Sequence, residues 1–406
     1  MKEIIRNLFL LYIVFSAKTG YTQNIIQEWI AIPAPQNAAI LRTSENQLLV
    51  DDSGNVYIGG NFNDTITTEN IWGIAKMNSS GINQWYATED GIGYSFGNVT
   101  AISLDTNYNL FVTGTTDFNT TFEAGRTNKY DLNGSLVWSH PLDSPATYGT
   151  IGHGNYISSQ NECYDLIRNQ NITIRKFDTS GNVILQFSND TVDATQNHGF
   201  VANHFKRDAE NNIYVSGTYA DLPNQMDTKY FVKKFSSTGN FKWESFYNPS
   251  GGIDDPRDIF IDSLQNVYVT GRYNSPNPGF YATVVYDSSG SQKWQDLFQV
   301  NGAGYADDIT ADKAGNCYVN GVAPGLSNYK CVLLKYDTAG NIIWQRSLDS
   351  ARASSYAKVK LDDAANVYVT YTGSNSIIPA NFVVTAKFDS SGNLKWKIRY
   401  NAPSAV

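Results

Sequence analysis

The 406-residue chain has few charged residues, and the charges that it has are mostly acidic. Asp, Glu, Lys and Arg make up only 17 % of the sequence, and 38 acidic residues against 30 basic ones give a formal charge of −8. A protein that binds nucleic acid through its phosphates needs a broad basic surface, so a nucleic-acid partner is not expected. Hydrophobic residues make up 41 % of the chain, which is enough for a large core and excludes a disordered protein.

Long apolar runs are also absent, and the longest near the N-terminus covers residues 8–15. About 20 apolar residues are needed to cross a bilayer. Lys2 and Arg6 precede this run and small or polar residues follow it, which is typical of a signal peptide. We therefore predict a signal peptide over residues 1–22 and an extracellular, cell-surface or periplasmic protein with no membrane span after cleavage. An uncleaved anchor is the alternative.

What the chain does have is an internal repeat of about 50 residues. A short strand core with a central aromatic residue recurs seven times, and six copies carry an Asp six residues before the aromatic and an Asn two residues before it. The aromatic residues are Tyr57, Phe111, Tyr164, Tyr214, Tyr268, Tyr318 and Tyr368. The aspartates are Asp51, Asp105, Asp208, Asp262, Asp312 and Asp362, whereas the third copy has Ser158.

A second phrase follows each strand core and consists of Lys, an aromatic residue or Met, a turn with Gly, and Trp. The tryptophans are Trp85, Trp138, Trp243, Trp294, Trp344 and Trp396. The departures are local: Val285 replaces Lys in the fifth copy, and Leu185 replaces Trp in the third.

Each repeat resolves into four short strands with alternating or β-branched apolar residues. Four antiparallel strands per period are typical of a propeller blade, whereas a β-solenoid needs shorter, parallel coils. We predict an all-β fold, a single seven-bladed β-propeller of four-stranded antiparallel blades over residues 23–406. An extra strand around Trp29, at residues 25–32, is expected to close the ring, and an incomplete eighth blade is the alternative.

The phrases at residues 262–271 and 312–321, with the Gly and Trp that follow, resemble the SBBP-type β-propeller repeat of secreted bacterial proteins. A looser likeness is to NHL-type propellers. The resemblance covers residues 25–400. It implies a propeller fold and an exported location but no particular activity, since such repeats serve many roles.

Loop lengths divide each repeat into a constant and a variable side. The distance from the Asp position to the aromatic is always 6 residues and from the Lys position to the Trp position always 9, whereas the other two connections range over 12–20 and 18–23 residues. Length variation is tolerated where loops carry function. We therefore expect a ligand on the face with the longer loops, where Tyr305 is one of the exposed aromatic residues.

The repeat register places His204, Asp258 and Asp308 at the same position of three consecutive blades, four residues before the Asp position. An imidazole and two carboxylates could bind a divalent cation or exchange protons. The alternative is a solvated polar rim, paired through Arg257 and Lys358.

The third copy is the most divergent, and all four histidines lie in or beside it or at the start of the next copy. One interpretation is a notch that admits a ligand, with His153, His198 and His204 at its rim. The other is a diverged blade with ordinary surface histidines.

Three cysteines are too few for a disulfide framework. Cys163 and Cys317 hold a position that other repeats fill with apolar residues, so we expect them to be buried. A cross-strand disulfide between Cys317 and Cys331 is an open alternative.

Together these patterns predict an exported, monomeric binding or interaction module for a protein or glycan, with no catalytic residue, metal or cofactor assigned. The alternative is a propeller-type polysaccharide lyase or hydrolase with its site at the channel mouth, near His204, Asp258 and Asp308. A passive scaffold is a third hypothesis. The Asp-containing turns offer one carboxylate each, too few for a calcium loop of the EF-hand kind.

Overall fold

A computed structural model describes residues 38–41, 47–64, 70–89, 98–119, 122–141, 151–168, 172–189, 199–220, 227–249, 252–274, 279–300, 304–324, 329–348, 357–374 and 381–401. The signal peptide and the extra strand around Trp29 fall outside these ranges. All regular elements of the described residues are β-strands. The search for a helix that is long and apolar enough to cross a membrane, made over the same residues, found none.

The chain divides into two compact units, and the first comprises Met1–Asn169, Thr173–Gln186 and Ala405–Val406. Its strands form three antiparallel sheets in simple chain order. Sheet 1 contains β1 (Ala38–Leu41), β2 (Gln47–Val50), β3 (Val56–Asp64), β4 (Asn70–Met77) and β5 (Asn83–Glu89). Sheet 2 contains β6 (Asn98–Leu104), β7 (Leu110–Asn119), β8 (Phe122–Tyr130) and β9 (Leu136–Pro141). Sheet 3 contains β10 (Ile151–Ile157), β11 (Cys163–Arg168), β12 (Ile172–Phe177) and β13 (Val183–Asn189).

The second unit comprises Gln170–Ile172 and Phe187–Ser404, so it includes the first residue of β12 and the end of β13 from Phe187 onwards, and it holds four more sheets of the same order. Sheet 4 contains β14 (Gly199–Arg207), β15 (Ile213–Ala220), β16 (Thr228–Phe235) and β17 (Phe241–Tyr247). Sheet 5 contains β18 (Ile253–Ile261), β19 (Val267–Asn274), β20 (Phe280–Tyr286) and β21 (Gln292–Gln299). Sheet 6 contains β22 (Tyr305–Ala311), β23 (Cys317–Pro324), β24 (Tyr329–Tyr336) and β25 (Ile342–Leu348). Sheet 7 contains β26 (Lys358–Leu361), β27 (Val367–Ser374), β28 (Asn381–Phe388) and β29 (Leu394–Asn401).

The predicted arrangement of seven four-stranded antiparallel sheets is confirmed, with one variation in sheet 1. There the first strand position is divided between β1, which pairs with the end of β3, and β2, which pairs with its beginning. β1 and β2 therefore share one strand position, and sheet 1 has four strand positions like the other sheets.

The Asp, Asn and aromatic residue of the repeat form one hydrogen-bonded turn between the first and second strands. In sheet 5, Asp262 Oδ1 accepts hydrogen bonds from the backbone N–H of Leu264 and Asn266, at 2.9 and 2.8 Å. Asp262 Oδ2 accepts from Asn266 Nδ2 at 2.7 Å and from the Tyr268 hydroxyl at 3.0 Å. The turn thus satisfies the backbone groups of the hairpin locally. In the third repeat Ser158 Oγ replaces the carboxylate and accepts from the N–H of Gln160 and Glu162.

The Gly and Trp of the second phrase join neighbouring sheets within a unit. Trp344 Nε1 of sheet 6 donates to the Ser390 carbonyl of sheet 7 at 3.2 Å. Its ring lies against Gly392, which has φ +80°, and a Cβ on that residue would lie only 2.8 Å from the ring. A side chain at this position is therefore excluded both by the backbone conformation and by the neighbouring tryptophan.

The third repeat replaces this contact at a different residue. Leu185 stands at the Trp position, but Phe187, two residues later, packs against Gly239 of the fourth repeat and lies 5.3 Å from the ring of Phe235. The missing tryptophan is thus compensated by an aromatic residue on the same face of β13.

A β-bulge interrupts the first strand of sheets 2 to 6. The register shifts in sheets 5 and 6 lie between Pro256 and Asp258 and between Ala306 and Asp308. The glycines that pair beside these bulges, Gly271 and Gly321, have no room for a Cβ, which would overlap the carbonyl oxygen of Asp255 or Tyr305. In these two sheets the Gly at the end of the strand core is therefore a requirement of the bulge, whereas Ile167 pairs beside the bulge of sheet 3.

All three cysteines are buried free thiols, so the alternative of a Cys317–Cys331 disulfide is wrong. Cys331 pairs with Val322 and Cys317 with Tyr336, five residue pairs apart along the same two strands. A separation of five pairs at roughly 3.3 Å per residue far exceeds the reach of a disulfide.

Candidate functional site

His204, Asp258 and Asp308 each directly follow a bulge, on β14, β18 and β22 of the second unit. Each of them forms a hydrogen bond with the backbone of the next sheet. His204 Nε2 lies 3.1 Å from the Pro256 carbonyl, so this nitrogen carries the proton and donates it. The repeat position that the sequence singled out therefore joins neighbouring sheets.

The two carboxylates make the reverse contact, as acceptors. Asp258 Oδ2 accepts from the N–H of Ile309 at 3.1 Å, and Asp308 Oδ2 accepts from the N–H of Val359 at 2.7 Å. Asp308 Oδ1 also accepts from Lys358 Nζ at 3.1 Å. The Lys358 pairing that the sequence suggested is thus present, with Asp308 as the partner.

The electrostatics of this cluster separate the two acids. Burial, followed by the neighbouring charge of Asp258, raises the pKa of Asp308 to about 6, although Lys358 and Lys360 oppose the shift. Burial also opposes ionisation of Asp258, but Lys206 and Lys358 together hold its pKa below the ordinary value. At neutral pH both acids are ionised, and Asp308 is the acid that takes up a proton first as the pH falls.

Burial lowers the pKa of His204, against the opposing influence of Asp258, so the imidazole is neutral at pH 7. Within the part of the chain that the structure describes, no three His, Cys, Asp or Glu side chains converge in a way that could hold a metal ion. The arrangement therefore provides sheet-to-sheet hydrogen bonds and one neutral imidazole.

A second polar group lies around Tyr305, the first residue of β22. The guanidinium of Arg257 stacks on the Tyr305 ring, with its central carbon 4.1 Å from the ring centroid. Arg257 also contacts the carboxylates of Asp307 at 3.4 Å and Asp255 at 3.5 Å. Arg257 and Asp255 are about one-third exposed, whereas Asp307 is buried. Tyr305 was predicted as a ligand contact, and the structure gives it Arg257 as a stacked partner.

Sequence reasoning missed Asp307 and treated Arg257 only as a partner for the predicted carboxylates. Both are the extra residues of their bulges, and Asp307 Oδ2 additionally accepts from the N–H of Ala357 at 3.1 Å. A bulge turns successive side chains in directions that regular alternation does not predict. The glycine that pairs beside each bulge is the sequence signal that could have located it.

The other two predicted histidines are not placed by the structure. His198 lies outside the described residues, and His153 lies on β10 with a side chain that is also outside them. Sheet 3 also contains a buried ion pair that was not predicted, in which Arg175 Nη2 lies 2.6 Å from Asp165 Oδ2. Thr127 of sheet 2 donates to the same oxygen at 2.8 Å, so this pair also links two sheets.

Comparison with known proteins identifies the fold alone. No family model matches the chain, and no curated protein matches it in sequence. Its structure resembles that of polysaccharide lyase Uly1, with a TM-score of 0.52 and 9 % identity over 91 % of this chain and 94 % of the lyase. It also resembles the WD40 domain of SCAP from fission yeast, with a TM-score of 0.51 and 6 % identity over 91 % of this chain and 89 % of that chain. Together with the seven sheets, these likenesses show a β-propeller fold.

Proposed function

We propose that this protein is an exported binding or interaction module that holds a protein or glycan ligand on the side of the longer loops and catalyses no reaction. The observation that carries the proposal is the use made of His204, Asp258 and Asp308. Each is hydrogen-bonded to the backbone of the following sheet: one oxygen of each carboxylate accepts from an N–H group, and the imidazole Nε2–H donates to a carbonyl. Such groups stabilise the fold, because breaking these bonds would leave buried polar atoms unpaired.

The ligand contact in this proposal is the stacked pair of Tyr305 and Arg257. The guanidinium plane of Arg257, backed by the Tyr305 ring, and the one-third exposed carboxylate of Asp255 provide the three elements that a sugar ring requires: a flat surface, donors and an acceptor. Asp255 and Asp307 offset the positive charge of Arg257, so a neutral sugar with several hydroxyls fits better than an acidic one. A glycan is accordingly our first choice of ligand.

The test is a glycan and surface-protein array probed with the full mature chain, followed by affinity measurements on any ligand found. Tyr305→Ala should weaken binding about tenfold or more, since a central aromatic contact contributes more than about 1.4 kcal/mol. Tyr305→Phe keeps the ring and should bind nearly as well. Phe241→Ala removes an exposed aromatic side chain from the outer strand β17 and serves as the control.

The alternative is a propeller-type polysaccharide lyase or hydrolase that uses His204 as a base. A neutral imidazole whose Nε2–H donates to Pro256 keeps a lone pair on Nδ1, which favours this candidate. A lyase would release unsaturated sugars that absorb in the ultraviolet, and His204→Ala would abolish that release. Turnover of an acidic polysaccharide by the wild type would refute the non-catalytic proposal.

Export is supported by the pattern of residues 1–22 and by the resemblance to SBBP-type repeats. It is tested by fractionating expressing cells and sequencing the N-terminus of the mature protein. A chain that stays in the cytoplasm with residues 1–22 intact would contradict it.

A further inference from the structure

Asp254 is a buried carboxylate with no hydrogen-bond partner. It lies near the start of β18, is 0 % exposed, and neither of its side-chain oxygens accepts a hydrogen bond. Burying an ionised carboxylate without donors costs several kcal/mol, and nearly all buried polar groups are paired for this reason. An unpaired acid in such a place requires either a proton or a cation.

A second carboxylate, that of Asp227, adds negative charge beside it. Asp227 directly precedes β16, and its Oδ1 accepts from Asn248 Nδ2 at 3.0 Å and from the N–H of Gly252 at 3.3 Å. Thr228 fixes the two segments together, because its hydroxyl donates to the Asp254 carbonyl at 2.8 Å and accepts from the Asp254 N–H at 2.7 Å.

No positive side chain compensates for this pair. Among the described residues no lysine or arginine forms an ion pair with Asp254 or Asp227, although other acids of the same unit, such as Asp308, have one. Two carboxylates without a basic partner carry up to two negative charges, one on the fully buried Asp254 and one on the half-buried Asp227.

An independent oxygen points to the same place. The hydroxyl of Tyr247, at the end of β17, is buried, with the residue 3 % exposed, and has no hydrogen-bond partner. Its ring packs 5.5 Å from the Tyr230 ring. The Tyr230 hydroxyl in turn donates to the Arg272 carbonyl, and the residue after Arg272, Tyr273, pairs with Asp254 in sheet 5. Tyr247 therefore packs beside the strand pair that carries Asp254.

We propose that Asp254 and Asp227 bind one divalent cation with a preference for oxygen ligands, Ca²⁺, at the contact between sheets 4 and 5. Ca²⁺ accepts carboxylates, carbonyls and water in irregular geometry, whereas Mg²⁺ demands an octahedron and keeps its water. Both carboxylates are hard oxygen ligands, which suit Ca²⁺ better than a softer metal. With only two carboxylates, we expect weak binding, with a Kd on the order of 10⁻⁴ M as in extracellular modules. The two carboxylates are not members of the Tyr305 and Arg257 group, and the inference does not depend on the function proposed above.

The experiment titrates the chelator-treated mature chain with CaCl₂, by calorimetry and by thermal unfolding. We expect one Ca²⁺ per chain and, at about 100 times the Kd, a rise in Tm of about 5 °C. Asp254→Asn and Asp227→Asn keep the side-chain shape and should each abolish both effects. Asp363→Asn removes a carboxylate that is 96 % exposed and should leave both unchanged.

Two outcomes would overturn the proposal. If the wild type shows neither heat nor a Tm rise with Ca²⁺, Asp254 holds a proton instead. If Asp254→Asn still binds Ca²⁺ like the wild type, the cation lies elsewhere. Should the variant fail to fold, Tb³⁺ on the wild type decides the question, because tyrosines beside the site would sensitise its emission and Ca²⁺ would quench it by displacement. Absence of sensitised emission would contradict the site.

Discussion

Replacing Trp344 by alanine should be one of the most destabilising single changes in the outer strands. The side chain is 8 % exposed, lies against Gly392 of the next sheet, and contacts the Tyr318 ring edge-on at 5.9 Å. Large-to-small substitution of a buried Trp costs about 3–5 kcal/mol. Within that sum the bond from Nε1 to the Ser390 carbonyl contributes about 1 kcal/mol and the aromatic pair about 0.5–1.5 kcal/mol.

Urea unfolding followed by tryptophan fluorescence and far-ultraviolet circular dichroism measures this loss. Trp344→Phe should cost about 1–2 kcal/mol, because the ring stays on Gly392 and mainly the N–H donor is lost. Trp85→Ala is the matched comparison: it makes the same kind of contact, to the Leu132 carbonyl and Gly134, from a more exposed position. A loss below about 1 kcal/mol for Trp344→Ala would refute the view that this residue joins the sheets.

Three further predictions concern a buried acid, a strained turn and the thiols. Because the pKa of Asp308 is raised to about 6, the folded state binds the extra proton between about pH 4 and 6, so the contribution of Asp308 to the free energy of unfolding should fall by about 3 kcal/mol as pH rises through that window. Urea titrations at several pH values should show that slope reduced in Asp308→Asn, and parallel curves for the two proteins would contradict it. Ala365 has φ +56°, where the equivalent turns of sheets 1 and 6 have Gly54 and Gly315. Ala365→Gly should therefore raise the free energy of unfolding by about 0.5–1 kcal/mol, and a lower free energy of unfolding would contradict the strain. All three cysteines are buried, so a thiol reagent should label none of them in the native protein and all three in denaturant. Labelling of the native protein would contradict their burial.

The sequence predicted the strands well because each repeated residue has a local physical task. Asp262, Asn266 and Tyr268 recur together because they close one turn, and that turn is complete within seven residues. Spacing and periodicity reveal such local contacts. Contacts across sheets are harder to predict: Phe187 replaces the tryptophan of the third repeat from two residues further on, and residue spacing alone gave no sign of the substitution.

The candidate site shows the limit of repeat-based reasoning most clearly. Register alone placed His204, Asp258 and Asp308 at one position and suggested shared chemistry, but the bulge before each residue turns it towards the next sheet. There an imidazole donates to a carbonyl, whereas the carboxylates accept from N–H groups, so residues of opposite hydrogen-bonding character perform the same structural task. Variation at an equivalent position therefore does not by itself indicate a ligand. The stronger indication is a polar atom that no neighbouring sheet satisfies, and in the second unit Asp254 meets that condition whereas Asp258 and Asp308 do not.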